Sequence, residues 1–220
     1  MRSVFYDRNQ LPEVLQELEQ KGHILDYNYE KHRFELTDEN AASGASLRLP
    51  ITMFYEKQVF VPEKSLVYVM VLVQSGSASI GVFEDEKCLE HKVFGSYMVR
   101  KKQGKSQIKH LKTKGKSRAG SRVRLASTIE FFENINTRLQ GHFDQYQFDR
   151  IALSCSKILI PYLFNSKIPT PFDKRDERIY KIPKHLHQPN YEVMLGMQRY
   201  LNKAELVFDE ERNPELNTMD

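Results

Sequence analysis

Residues Ser65 to Arg100 read SLVYVMVLVQSGSASIGVFEDEKCLEHKVFGSYMVR. The opening of this stretch, Ser65 to Gly76, is a near-continuous apolar run, the pattern of a strand covered on both faces. SASIGVFED and EKCLEHKVFGSYMVR follow as two more strands, with Glu84 to Lys87 as the turn of a hairpin. A strand with no polar face needs layers above and below it, so the neighbouring sequence must supply helices.

Toward the C-terminus it does. In AGSRVRLASTIEFFENINTRLQG (Ala119 to Gly141), Leu125, Ile129, Phe132, Ile135 or Asn136, and Leu139 share one stripe, which predicts a long amphipathic helix ending at Gly. Arg150 to Ser156 reads as a buried strand, KILIPYLF as a short helix interrupted near Pro161, Arg178 to Pro183 as a strand, and Asn190 to Phe208 as a last helix. Alternating strands and helices imply an α/β fold with a mixed β-sheet flanked by helices. From Asp209 the sequence turns polar, and fraying is expected.

Toward the N-terminus, Leu11, Val14, Leu15 and Leu18 at helical spacing, with Pro12 in the first turn and Gly22 after the last, predict a short helix. Ile24 to Leu36 and Ile51 to Val61 read as strands separated by a loop from Thr37 to Ser46. The expected division is an N-terminal helix and strand extension packed on the main domain (1–62), an α/β domain (63–208) and a flexible tail (209–220).

The chain has 220 residues, 40% of them hydrophobic and 28% charged, enough for one sizeable domain without staples. Cys88 and Cys155 stand in no CxxC or Cys/His spacing, which argues against a disulfide framework or a zinc site and fits a reducing cytosol. No apolar leader region opens the sequence. The longest apolar run, Leu66 to Val73, falls far short of the ~20 residues of a membrane-spanning helix. A cytoplasmic protein without membrane contact is expected.

Charge is distributed very unevenly. RKKQGKSQIKHLKTKGKSRAGSRVR, Arg100 to Arg124, holds eleven Lys or Arg and no Asp or Glu, in a chain whose formal charge is +4. The remaining residues therefore sum to −7. Such a block is either a solvated loop or the footprint of an anionic partner, where Lys and Arg displace counterions from phosphates. The cations are Arg100, Lys101, Lys102, Lys105, Lys109, Lys112, Lys114, Lys116, Arg118, Arg122 and Arg124.

Gly104-Lys105-Ser106 and Gly115-Lys116-Ser117 are not phosphate loops: the Gly required five positions earlier is replaced by Val99 and His110. His185 and His187, two apart, would point to opposite faces of a strand, and no carboxylate cluster stands beside them. His91 and His110 lack a Ser or Cys nucleophile in a recognisable motif. No metal or other cofactor is expected, and the missing carboxylates disfavour a metal-dependent nuclease. Gln107 has no titratable group and cannot be a general base. It is either one more polar loop residue or an amide that orients a water or hydroxyl, with backbone N–H groups opened by Gly104 stabilising an oxyanion. The second role suits a substrate with its own reactive hydroxyl, such as an RNA 3′ end.

The order Gly76, His91-Lys92, Phe94, Tyr97, Val99-Arg100, Lys102, Gly104, Gln107, Lys116-Ser117, Ala119-Gly120, Arg122 and Arg124 resembles the VLRF family, the Vms-like release-factor domain of ribosome-associated quality control. That domain is similar to the central, Gly-Gly-Gln-bearing domain of the eukaryotic and archaeal class-one termination factor. The resemblance covers Leu66 to Leu139 well and extends more loosely to Phe208. It implies a release-factor central-domain-like fold with a long basic catalytic loop between a strand and a helix. It also implies release of stalled nascent chains from peptidyl-tRNA on the large ribosomal subunit, by ester hydrolysis or by cutting within the tRNA 3′ CCA end. Gln107, Gly104 and Ser106 would be catalytic, and the cations would hold peptidyl-tRNA and ribosomal RNA. Two departures stand out. Lys105 occupies the place of the second Gly, and no zinc finger, ankyrin repeats or segregase-binding tail is seen. A compact, bacterial, monomeric version docking by its own surfaces is expected; the alternative is a ribosome- or RNA-binding factor of the same fold without the chemistry.

Overall fold

The computed structural model describes residues 1–37, 42–56, 59–60, 65–96 and 116–219, with backbone alone for 42–43 and 116–124. The chain divides into two compact units, one formed by residues 1–65 with 196–220 and the other by residues 66–195.

In the first unit, β1 (Arg2–Tyr6) is followed by α1 (Leu11–Gln20), β2 (Ile24–Asn28), β3 (Arg33–Thr37), β4 (Ala42–Arg48) and the two-residue strands β5 (Tyr55–Glu56) and β6 (Val59–Phe60). The span read as one strand, Ile24 to Leu36, is broken into a hairpin at residues 29–32, where His32 takes φ 50°. Much of the expected loop from Thr37 to Ser46 is strand β4.

The second unit begins with β7 (Val67–Gln74), β8 (Ser77–Glu84) and β9 (Lys87–Gly95). There follow α2 (Lys116–Gln145), β10 (Arg150–Cys155), α3 (Ile160–Phe164) and β11 (Ile179–Lys181). Helix α4 (Tyr191–Leu201) runs through the boundary between units, and β12 (Ala204–Phe208) returns to the first.

The first unit is an antiparallel sheet in the order β1-β12-β4-β3-β2, with Leu11, Val14 and Leu18 of α1 in its core. Two expectations are corrected here. Asn190 to Phe208 is not one helix: after Leu201 the buried positions alternate as Ala204, Leu206 and Phe208, and the strand inserts between β1 and β4. Nor does the sequence past Asp209 fray. Leu216 and Met219 are buried in the same core, around a 3₁₀ turn at Pro214–Thr218. The division therefore differs from that expected, because 196–220 groups with the first 65 residues. At the edge of this core Arg48 is buried but paired, donating to Glu205 at 3.3 Å and to the Tyr200 carbonyl at 3.1 Å, as a buried cation requires.

The second unit is the mixed sheet expected from Ser65 to Arg100, in the order β11-β10-β7-β8-β9. β7 lies in the middle of the order with both edges paired, and its residues from Tyr68 to Val73 are all buried whichever face they point to, which is why its sequence has no polar face. On one face Val69, Val71, Val73, Ala78, Ile80, Val82, Ile151 and Leu153 pack with Phe132, Ile135 and Leu139 of α2. On the other, Tyr68 stacks on Phe83 at 5.2 Å, and Gly81 leaves room for the Met194 side chain of α4. Asn136 sits in the apolar stripe of α2 and ties the helix to the chain beyond β10, because its amide donates to the carbonyls of Leu163 at 2.8 Å and Ile168 at 2.7 Å.

Strand direction sets up the functional end. β10 and β11 run parallel to β7, and β9 does too, since each is antiparallel to β8. The carboxyl ends of β7, β9, β10 and β11 thus share one end of the sheet. An eight-residue strand is about 26 Å long, whereas a 30-residue helix is about 45 Å. Helix α2 must overhang the sheet.

Candidate nucleic-acid interface

The basic segment leaves the sheet after Gly95 and returns as α2 at Lys116. Arg100, Lys101, Lys102, Gly104, Lys105, Ser106, Gln107, Lys109, Lys112 and Lys114 lie outside the described residues. Lys116, Arg118, Arg122 and Arg124 lie on the first turns of α2, where backbone alone is described.

The flanks of the segment are fixed by two hydrogen bonds. The Ser96 N–H donates to the Gly76 carbonyl at 2.9 Å, extending the pairing by one residue, and the Ser96 hydroxyl donates to the Ser127 carbonyl of α2 at 3.0 Å. Ser127 lies eleven residues into the helix, so about 16 Å of α2 precedes this clasp. Burial agrees with that placement. Phe131 and Phe132 are buried, but Leu125 and Ile129, expected on the same stripe, are 55% and 40% exposed. The stripe is real, yet its first two positions are left uncovered: Leu125 precedes the clasp, in the overhang, and Ile129 follows it. Gly141 also does not end the helix, which continues to Gln145.

Below the clasp is an open cleft of about 260 Å³, lined by Phe94, Gly95, Ser96, Ser127, Glu130, Phe131 and Asn134. Glu130 is the first acid after the basic run. Further along the same strand and helix, Glu90 joins β9 to α2, accepting from Arg138 at 2.8 Å and from the Tyr146 hydroxyl at 3.0 Å, with His142 Nδ1 at 3.8 Å. Burial and the adjacent Arg138 cation hold His142 below its ordinary pKa, against the opposing pull of Glu90. Sequence reading passed over this cluster, although Arg138 and His142 stand four apart on α2 and Tyr146 follows four residues later, just past the helix end.

Neither thiol suits a nucleophile. Burial pushes Cys155 up to about 12 and raises Cys88 as well, so both stay protonated at neutral pH. Among the described residues, no group of three or more His, Cys, Asp or Glu is placed to hold a metal ion. No described helix is long and apolar enough to cross a membrane. His185 and His187 contradict the opposite-faces reading: residues 182–190 form no strand, and the two rings lie 5.1 Å apart.

The family described as Bacteroidetes VLRF1 release factor matches residues 68–208. That span runs from β7 through the basic segment to β12. A solved structure described as the Vms1 mitochondrial localization core is similar at a TM-score of 0.42 and 13% identity, over 92% of this chain and 83% of that one. No curated protein matches the chain.

Proposed function

The chain belongs to the Bacteroidetes VLRF1 release-factor family, and on that premise we propose that it frees stalled nascent chains from peptidyl-tRNA on the large ribosomal subunit. The observation that carries this reading is the position of the basic segment inside the family match: it bridges the carboxyl end of β9 and the overhanging start of α2. Cations on that bridge suit the phosphates of tRNA and ribosomal RNA. Gln107 orients the attacking oxygen, and backbone N–H groups near Gly104 and Ser106 stabilise the developing charge. The raised thiol pKa values support a route that does not use cysteine.

The described part of the unit supports a positioning role. Product geometry depends on where Gln107 is held, and Ser96 ties the strand before it to the helix after it. A second reading, a binding factor without chemistry, is favoured by one residue: Lys105 stands where the family resemblance calls for a second Gly. Single-turnover release from a stalled large-subunit complex separates the two. Free nascent chain with an intact CCA end means ester hydrolysis, and a shortened 3′ end means phosphodiester cutting. No release at saturating protein leaves the binding factor.

A further inference from the structure

The cleft below the clasp has polar side chains with nothing to do in the protein itself. Glu130 and Asn134 stand four apart on α2, hence on one helix face, and both line the cleft. Both are exposed, and among the described residues neither has a hydrogen-bonding or ionic partner. The polar side chains one turn further along the helix are committed. Asn136 donates to the carbonyls of Leu163 and Ile168, Arg138 to Glu90, and the Gln140 amide to the Pro169 carbonyl at 2.8 Å.

The donor and acceptor inventory of the cleft says what it takes. An ionised Glu130 only accepts, Asn134 accepts with one end of its amide and donates with the other, and the Ser96 hydroxyl proton is already given to the Ser127 carbonyl. A phosphate would meet the Glu130 charge and be repelled. The ligand must bring N–H donors and no negative charge to this spot. Phe94 and Phe131 add apolar wall. At about 260 Å³ the cleft lies below the ~300–1,000 Å³ of sites for drug-sized molecules, so the occupant is a fragment such as a single flat ring. Its place narrows the choice further. Ser96 is the last described residue before the basic segment, so the cleft opens at the foot of the stretch that suits phosphates. Phosphates with a neutral, donor-bearing ring beside them are the parts of a nucleotide.

We propose that this cleft is a base-reading subsite, in which Glu130 and Asn134 accept from the exocyclic amino group of an unpaired adenine or cytosine at the RNA 3′ end. The proposal rests on the release-factor reading for the identity of the ligand as RNA. The pairings are those that edge geometry dictates: a carboxylate accepts from cytosine N4, and a side-chain amide matches the N6 and N7 edge of adenine. Uracil presents a keto oxygen where those bases present the amino group, and the carboxylate repels it. An unpaired base also needs apolar contact for its faces, which the two phenylalanines offer. The subsite adds selection to a basic segment whose cations hold any sequence alike.

The test uses the full chain and two fluorescently labelled single-stranded RNA oligonucleotides, identical except that one ends in CCA and the other in UUU. The wild type binds the CCA end more tightly by at least about fivefold, the discrimination expected of one well-made contact to a base edge. Glu130→Gln with Asn134→Ala brings that ratio to about one, and each single change lowers it part of the way. Both positions are exposed on a helix, so the melting temperature holds. The ratio is the readout because Glu130→Gln also removes a negative charge, which tightens the binding of either oligonucleotide through its phosphates. Asp144→Asn, the same change of charge near the far end of α2, leaves the ratio as in the wild type. Equal binding of the two oligonucleotides by the wild type overturns the subsite. A preference undiminished in the double variant places the discrimination elsewhere and overturns it too. The release-factor reading is judged apart from this: chain release by a wild type with no end preference keeps that reading without the subsite, whereas absence of both release and salt-dependent RNA binding removes both.

Discussion

A Cβ on Gly81 would lie 2.6 Å from the Met194 sulfur and 2.7 Å from the Phe83 ring, so the first turn of α4 sits on β8 only because residue 81 has no side chain. Gly81→Ala is expected to lower stability by about 1–3 kcal/mol through overpacking. Met194→Ala in the same chain recovers part of that loss, because the methionine tip is one of the two groups in the way. Thermal unfolding of the two single variants and the double variant measures the coupling.

Ser96→Ala removes the clasp between β9 and α2 and leaves the Ser127 carbonyl its helical partner. A cost of about 1 kcal/mol in stability is expected, the ordinary value of one hydrogen bond. The release rate should fall severalfold while binding to large subunits holds, since the cations are untouched. Equal losses in rate and binding would mean that Ser96 does no positioning.

Gln107→Ala should reduce single-turnover release by ~10² to 10³ with unchanged melting temperature and ribosome affinity. Gly104→Val should also slow release, by restricting the backbone there. Wild-type rates from Gln107→Ala would remove the glutamine from the chemistry.

Replacing Lys112, Lys114 and Lys116 with Ser should weaken binding to large subunits broadly. The salt slope should drop by roughly 0.7 to 0.9 for each phosphate no longer neutralised. Circular dichroism of the variant should match the wild type.

The depressed His142 makes stability depend on pH. In the unfolded chain the imidazole takes up its proton near 6.5, whereas in the fold it resists until the pH is lower. The unfolded state thus binds more protons below that value, and stability falls as pH drops through 6.5 toward the folded pKa, by at most about 1.4 kcal/mol per pH unit. The contribution is complete above 6.5. His142→Gln should flatten this acid limb of the denaturation midpoint plotted against pH; an unaltered limb assigns it to other groups.

Much of the second unit is legible in the sequence because its signals are local. The unbroken apolar run of β7 and the Glu84 to Lys87 turn each follow from a few adjacent residues. β12 is hidden because Met197, Leu201, Ala204 and Leu206 continue one apolar run, and the change from helical to alternating spacing at Asn202-Lys203 is only two residues wide. The exposure of Leu125 and Ile129 depends on what the tertiary fold lays over α2, and no window of sequence contains that. Gln107 is the opposite case, recognisable from its neighbours by family resemblance and outside the described residues.

The place of β12 between β1 and β4 has a consequence for synthesis. Residues 66–195 are an insert in the other unit, whose sheet lacks an internal strand until residue 208 has been made. During translation the inserted unit has all its strands well before its host does, while β1 and β4 wait with unpaired edges that favour association with other chains. The order of maturation is therefore inverted relative to the order of residues: the segment made first is the last to close. A premature stop just after Leu201 would leave the mixed sheet whole and the antiparallel sheet split in two, so the damage from a short truncation would fall on the opposite end of the chain.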